Sequence, residues 1–442
     1  MYHRLRVGLL VVFCLSIGNL FGLFAQHSTD YYSLSMVGNA GNGIFAPYYL
    51  SANKHGLVTH SKSGYLRASV FKGLEMNKRF SYEFGIDLVG LMSSTSPVSY
   101  YSDGNLKTYN PGVSSFLIQQ AYIGMKYRMI FISAGCRELT DEVVNFELSS
   151  GGLVWSGNAR PIPQVRAGFI DFVDIPFTKG WVQIKGELAY GKFMDNDFLR
   201  DHYNYYNQYI TTDALYHHKS ISFRSNPDKP FVVTIGAELA AQFGGTKRYY
   251  EKGILIDSLT MKSPTRLKDF FKILFPSSGD GQTNEGDQAY YYGNHVGQWN
   301  LSAEYRFKDN SSVRGYFEWY FDDASGMGKF NGWDGLWGLE YKSGKKNWLS
   351  NVVLEYLDMT NQSGPLNWCP SDYNDPKLDI EATGADDYYN NYFYNGWAHY
   401  GLSNGTAMAK SLLYNTDGYM RYKHNRIRGV HLGSLLNGNI KY

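Results

Sequence analysis

KRFSYEFGIDLVGLM, residues 78–92, alternates almost without fault. Phe80, Tyr82, Phe84, Ile86 and Leu88 fall on one side; Ser81, Glu83, Gly85 and Asp87 fall on the other. A strand sends successive side chains to opposite faces, so this segment has one apolar and one polar face. Two architectures accommodate it. In a soluble sandwich the apolar face packs inward and the polar face meets bulk water. In a membrane barrel the apolar face meets lipid and the polar face lines a wet interior.

The same alternation recurs in WVQIKGELAY (181–190), FVVTIGAELAAQF (231–243), WNLSAEYRFK (299–308) and VRGYFEWYFD (313–322). Three features favour the barrel. The segments approach the roughly 9–11 residues of a tilted membrane strand. Aromatics gather at segment ends (Phe80, Trp181, Trp299, Phe307, Phe321), where interfacial girdles form. Both signs of charge share the polar face, which places Glu304, Arg306 and Lys308 to pair across a lumen. Brief turns near 76–78, 177–180, 226–230, 309–312 and 343–347 alternate with long polar stretches at 94–113, 141–163, 194–219, 246–296 and 361–415. Short periplasmic turns and long outer loops are the barrel pattern, and they imply about 14–16 strands. A descending strand at 414–425 followed by an ascending one at 428–440 leaves an odd count. Barrels of this class have an even one, so missing C-terminal strands are expected, the alternative being a count off by one within 361–415. SPTRLKDFFKILF (263–275) instead has helical spacing, with Ser263 as cap and Pro264 at the first helical position. It is expected as a short amphipathic helix in a long loop, folded against the barrel mouth; the alternative is an interfacial membrane contact.

Composition agrees. The chain has 442 residues with 42 Lys+Arg against 40 Asp+Glu, so the basic excess of a nucleic-acid binder is absent. Aromatic residues reach 17%, with 38 Tyr and 47 Gly, which suits an all-β protein rich in turns. At the start, Arg4 and Arg6 precede an apolar run from Val7 to Phe24, with Ala25–Gln26 as the cleavage point. Residues 1–25 therefore read as a signal peptide, the alternative being an uncleaved membrane anchor, and 26–442 as one outer-membrane barrel domain, truncated at its C-terminus. Beyond the leader, Cys136 and Cys369 either form a disulfide or stay as two thiols.

The loops carry the candidate chemistry. DHYNYYNQYI (201–210) and DDYYNNYFYNGWAHYG (386–401) combine flat aromatic faces, which stack on sugar rings, with Asn, Asp and His, which bond hydroxyls. The competing reading is padding at a barrel entrance. In GGLVWSGNARPIPQVR (151–166), Arg160 and Arg166 suit paired bonds to carboxylates or phosphates, or else pair with interior glutamates such as Glu187 and Glu238. Asp386 and Asp387 are merely adjacent, and His217 and His218 lack a nucleophile motif. No zinc spacing and no phosphate loop occurs, so no catalytic residue, metal or cofactor is assigned.

GGLVWSGNARPIPQVRAGF (151–169) resembles the Wzi-type capsule-assembly family of outer-membrane proteins. The likeness continues through DFVDIPFTKGWVQIKGELAYG (171–191), FRSNPDKPFVVTIGAELAAQFGG (223–245), NQSGP (361–365) and 386–401. It implies a transmembrane antiparallel β-barrel of about 16–18 strands and a non-enzymatic, lectin-like role. That role is binding capsular polysaccharide and assisting its attachment at the surface of a Gram-negative cell. Within the matching blocks the candidate polysaccharide-binding residues are Trp155, Asn158, Arg160, Gln164, Arg166, Asp387, Tyr394, Trp397 and His399. The expected partners are capsular polysaccharide and outer-membrane lipid, not nucleic acid, with the chain acting as a monomer. A porin-like channel is the alternative function, and a surface hydrolase the third.

Overall fold

The computed structural model describes residues 30–436 except 113, 141–142, 203–207, 290, 323, 328–331, 346–347, 363–365, 368–381 and 384–385. The leader, Cys369, residues 363–365 of NQSGP and the final residues lie outside this set. The structure is an antiparallel transmembrane barrel wall. Its main sheet has 17 strands, of which Val173–Asp174, Ile254–Leu255 and Met261–Lys262 are two-residue extensions. Without those three, fourteen make the wall: β1 Asp30–Asn39, β2 Ser63–Lys72, β3 Phe80–Ser93, β4 Phe116–Tyr127, β5 Ile130–Cys136, β6 Gln164–Phe169 and β7 Val182–Lys192. Then follow β8 Gln208–Ser225, β9 Phe231–Glu251, β10 Asn294–Arg306, β11 Ser312–Phe321, β12 Gly335–Lys342, β13 Leu349–Asp358 and β14 Arg428–Leu436. Each pairs with the next in chain order, from β1 with β2 to β13 with β14. Among the described residues β1 and β14 are not paired with each other.

The burial of β3 decides between lipid and water. Phe80, Tyr82, Phe84, Ile86, Leu88 and Met92 are exposed, whereas Ser81, Glu83 and Asp87 are buried. Exposed to water, each of those large side chains forgoes roughly 1.5–3 kcal/mol of burial. A buried carboxylate needs partners. Asp87 has them on the inner face: the Arg67 guanidinium, Ser69 Oγ at 2.9 Å and Gln120 Nε2 at 3.2 Å. Glu83 pairs with Arg137 at 2.7 Å. The apolar face is the outer one, as in a hydrocarbon-embedded barrel. Among the described residues no helix is long and apolar enough to cross a membrane, so the crossing is made by strands.

All five expected turns join consecutive wall strands, and a sixth, at 128–129, joins β4 to β5. Seven longer connections lie at the other end. One reading of the connectivity changes. Residues 414–425 form no strand; they fold inward as loop, and β14 runs back toward the short-turn end. The described wall is thus even-numbered, and smaller than the 16–18 strands implied by the resemblance.

Two of the longer connections fill the lumen. After β5 the chain leaves the wall, and residues 143–163 lie inward. Glu355 accepts Ser149 Oγ at 2.6 Å and Ser150 N at 2.7 Å. Glu318 accepts Leu153 N at 2.8 Å, and Gln298 accepts Val154 N at 3.1 Å. Residues 386–427 pack on top: Tyr389 OH donates to Leu153 O at 2.6 Å and Trp397 Nε1 to Val154 O at 2.8 Å. Leu153, Val154, Tyr388, Tyr389 and Trp397 belong to the largest apolar cluster, which sits inside the barrel.

The helix appears as Leu267–Leu274 (α2; α1 is Asn196–His202). It starts later than expected because Arg266 caps it: Arg266 N donates to Asp269 Oδ2 at 2.7 Å in a capping box. It does not line the mouth. It lies on the outer face of the wall, where Ile273 and Phe270 cover Ala241, Phe243 and Tyr190, and Lys219 donates to Ile273 O at 3.1 Å. Leu267, Phe271 and Phe275 remain exposed beyond it. That placement matches the interfacial membrane contact.

Candidate functional site

Of the residues singled out in the sequence, the structure brings Arg160 and His399 into one cavity. Its volume is about 580 Å³, and it lies at the long-loop end beside the plug. Its walls come from 56–60, the start of β4, the end of β5, α1 and 399–402.

Arg160 is set from three directions. Its guanidinium lies 4.4 Å over the Tyr400 ring, a favourable cation–π placement. Its backbone carbonyl accepts from His399 Nδ1 at 2.9 Å. Its stem packs on Gly56, which adopts φ +72°, and a Cβ there would sit 3.0 Å from Arg160 Cγ. His399 Nε2 accepts Met194 N at 3.2 Å, which assigns the ring proton to Nδ1. Burial holds the His399 pKa down to about 4, so the ring is a neutral brace. Arg160 has no carboxylate partner among the described residues. Burial lowers its pKa, and Tyr400 opposes that shift. The glutamate pairing considered for both arginines holds only for Arg166, which meets Glu187 through Nε at 2.8 Å and a second contact from Nη2.

Other groups around Arg160 were not singled out. His60 is buried; its Nδ1 meets Thr59 Oγ1 at 2.9 Å, while its Nε2 has no hydrogen-bond partner. Burial lowers its pKa as well. His202 stacks on Phe198 at 4.1 Å, and the nearby Asp197 and Asp201 are engaged by Arg200, each at 2.8 Å. The Tyr-rich stretch 201–210 hinted at His202; nothing in the sequence marked His60.

The remaining candidates lie elsewhere. Trp155, Gln164 and Arg166 line a smaller cavity of about 110 Å³ with Glu187, His218 and Glu238. Asn158 is buried and donates to Ser403 O at 3.2 Å. Tyr394 is buried beneath Lys247, whose Nζ sits 4.2 Å from the ring centroid. Trp397 is wholly enclosed in the plug. Asp387 is exposed and accepts Asn390 Nδ2 at 3.2 Å. The aromatic faces of Tyr394 and Trp397 are therefore turned to protein. Among the described residues, no group of three or more His, Cys, Asp or Glu is placed to hold a metal.

No family model matches the chain, and no curated protein matches it. Among solved structures the chain is similar to Wzi, an outer-membrane protein involved in group 1 capsule assembly in Escherichia coli and described as a carbohydrate-binding β-barrel. The identity is 13% and the TM-score 0.47, over 86% of this chain and 63% of that one. It is also similar to a mutant porin of Rh. blastica, at 11% identity and TM-score 0.27, over 74% of this chain and 94% of that one. The chain thus spans just under two thirds of the length of the first of these structures and nearly all of the second.

Proposed function

We propose that this chain is an outer-membrane protein that binds an acidic polysaccharide at the cell surface and helps hold a capsule there, without catalysis. The observation that carries this reading is Arg160: a half-buried guanidinium, braced on Tyr400 and His399 and without a carboxylate of its own, in a cavity at the long-loop end. Its fork geometry suits the carboxylate of a uronic acid. Tyr400 and Phe198 line the same cavity, and the plugged lumen supports a binding role over an open channel.

The test is binding of purified protein to a panel of acidic and neutral polysaccharides. A charge-assisted bond contributes about 1.5–3 kcal/mol. Arg160→Gln is therefore expected to weaken acidic polymers by about 10- to 150-fold and leave neutral ones unaffected. Equal retention of acidic polymer by wild type and Arg160→Gln would overturn the assignment of this cavity. Release of reducing ends from capsule by the purified protein would overturn the non-catalytic role.

A further inference from the structure

The barrel wall is broken beside this cavity. β4 pairs with β5 only from Ala121, opposite Cys136, to Tyr127. The pairing of β5 with β6 ends at Gly135 opposite Gln164, and β6 pairs with β7 no further along than Gly191. Above that level no strand stands between β4 and β7 among the described residues, because the chain joining β5 to β6 has turned inward to make the plug. The break is bounded on one side by Phe116–Gln120 of β4, and on the other by Pro161, Pro163 and Met194.

The cavity passes through this break. It is lined by Leu117 and Gln119, which are buried on the inner face, and also by Phe116 and Ile118, which are 60% and 61% exposed on the outer face. The level is that of the hydrocarbon. Ile118 stands opposite Leu88 and Phe116 opposite Gly90, and Met92, one outward position higher on β3, is still an exposed apolar side chain. An open strand edge at that depth is costly, since lipid offers no hydrogen bonds. Here the cost is partly met by Cys136, whose Sγ lies 3.5 Å from Gln119 O and 3.2 Å from Pro161 O. Inside the break the chemistry reverses within one cavity: Arg160, which has no carboxylate partner among the described residues, and His60 Nε2, which has no hydrogen-bond partner, stand behind an apolar mouth.

A free sugar chain matches the inner half alone, because its hydroxyls would lose water without replacement at Phe116 and Ile118. A simple hydrocarbon matches only the outer half. We propose, building on the acidic-glycan reading of the same cavity, that its ligand is a lipid-linked acidic glycan. The acid group sits at Arg160, and the acyl chain runs out through the wall between β4 and Met194 into the bilayer.

Two probes separate this from binding of the acidic glycan alone: glucuronosyl diacylglycerol in mixed micelles, and an oligoglucuronate without lipid. Wild type is expected to bind the glycolipid at least tenfold more tightly. Ile118→Trp, which fills the mouth, and Phe116→Lys, which charges it, are each expected to remove that advantage and leave oligoglucuronate binding unchanged. Heat-modifiable migration on gels confirms that each variant folds. Glycolipid affinity that stays at the wild-type level in both variants, or that never exceeds oligoglucuronate affinity in wild type, would sink the lateral path. Arg160→Gln reports on the other half. If it weakens both probes while the mouth variants change nothing, the glycan site stands and the lipid path falls. If it weakens neither, the cavity reading itself fails.

Discussion

At the scale of single residues, the plug hangs on the Leu153–Val154 pair. Both amide N–H groups are taken by the wall, through Glu318 and Gln298, and both carbonyls by the last long connection, through Tyr389 and Trp397. Trp397→Ala removes a wholly buried indole and leaves Val154 O without its donor. Truncating a buried Trp costs about 3–5 kcal/mol, here charged to the plug rather than the wall. Limited proteolysis is expected to cut within 386–427 in the variant, while the wall keeps its heat-modifiable migration. Gly405 is a second pressure point: a Cβ there would lie 2.1 Å from Leu153 O. Residue types alone indicated this region but not its role. Trp397, Tyr394 and His399 lie in a Tyr–Asn-rich stretch whose composition suits sugar contacts. Composition cannot distinguish an aromatic face turned to solvent from one turned to a carbonyl 243 residues away in sequence. Arg160 is separable from Arg166 only by geometry, since Glu187, which pairs with Arg166, lies too far along the chain for spacing to say which arginine it meets.

At the scale of elements, the wall strands were legible because a period of two is imposed by lipid on one side and paired charge on the other. Phe80–Ser93 matches the quoted stretch to within two residues at its start. The helix was legible in its spacing but not in its seat, which depends on the outward Phe243 and Ala241 accepting Ile273. With Leu267, Phe271 and Phe275 exposed on the outer side of the wall, α2 is expected to dip into the bilayer interface. Brominated lipids should therefore quench the fluorescence of a Phe271→Trp variant, compared with the wild-type signal; unchanged emission would place the helix in water. The segment ahead of α1 carries a pH response. Asp195 is buried and accepts Tyr400 N at 3.2 Å, and burial pushes its carboxyl up to about 7. The unfolded value is about 3.9. Between these pH values the folded segment holds a proton that the unfolded chain has lost. Stability there falls as pH rises from about 4 to about 7 and levels off above. Hydrogen exchange across 193–202, corrected for intrinsic rates, is expected to be slower at about pH 5 than at about pH 8, and Asp195→Asn should flatten the difference.

At the scale of the whole molecule, the even, antiparallel order of the wall followed from alternating short and long connections. The destination of the long ones did not. Nothing in the periodicity of 137–163 says that it turns inward, because its partners are inward carboxylates and amides on β10, β11 and β13, far along the chain. A lumen filled by two connections is expected to pass little current in planar bilayers. Glu318→Ala combined with Glu355→Ala removes the acceptors for four donors, Tyr316 OH among them, and is expected to raise single-channel conductance measurably. Wild-type conductance equal to that of the double variant would show that the plug does not seal the lumen.

The clasp at Leu153–Val154 also constrains the order of biogenesis. Its two amide donors find their acceptors only after β10 and β11 exist, and its two carbonyls wait for residues 236 and 243 positions later. Contacts this remote in sequence form late and slowly. A nascent wall must therefore pass through a stage with an empty bore, and sealing is the closing act of maturation.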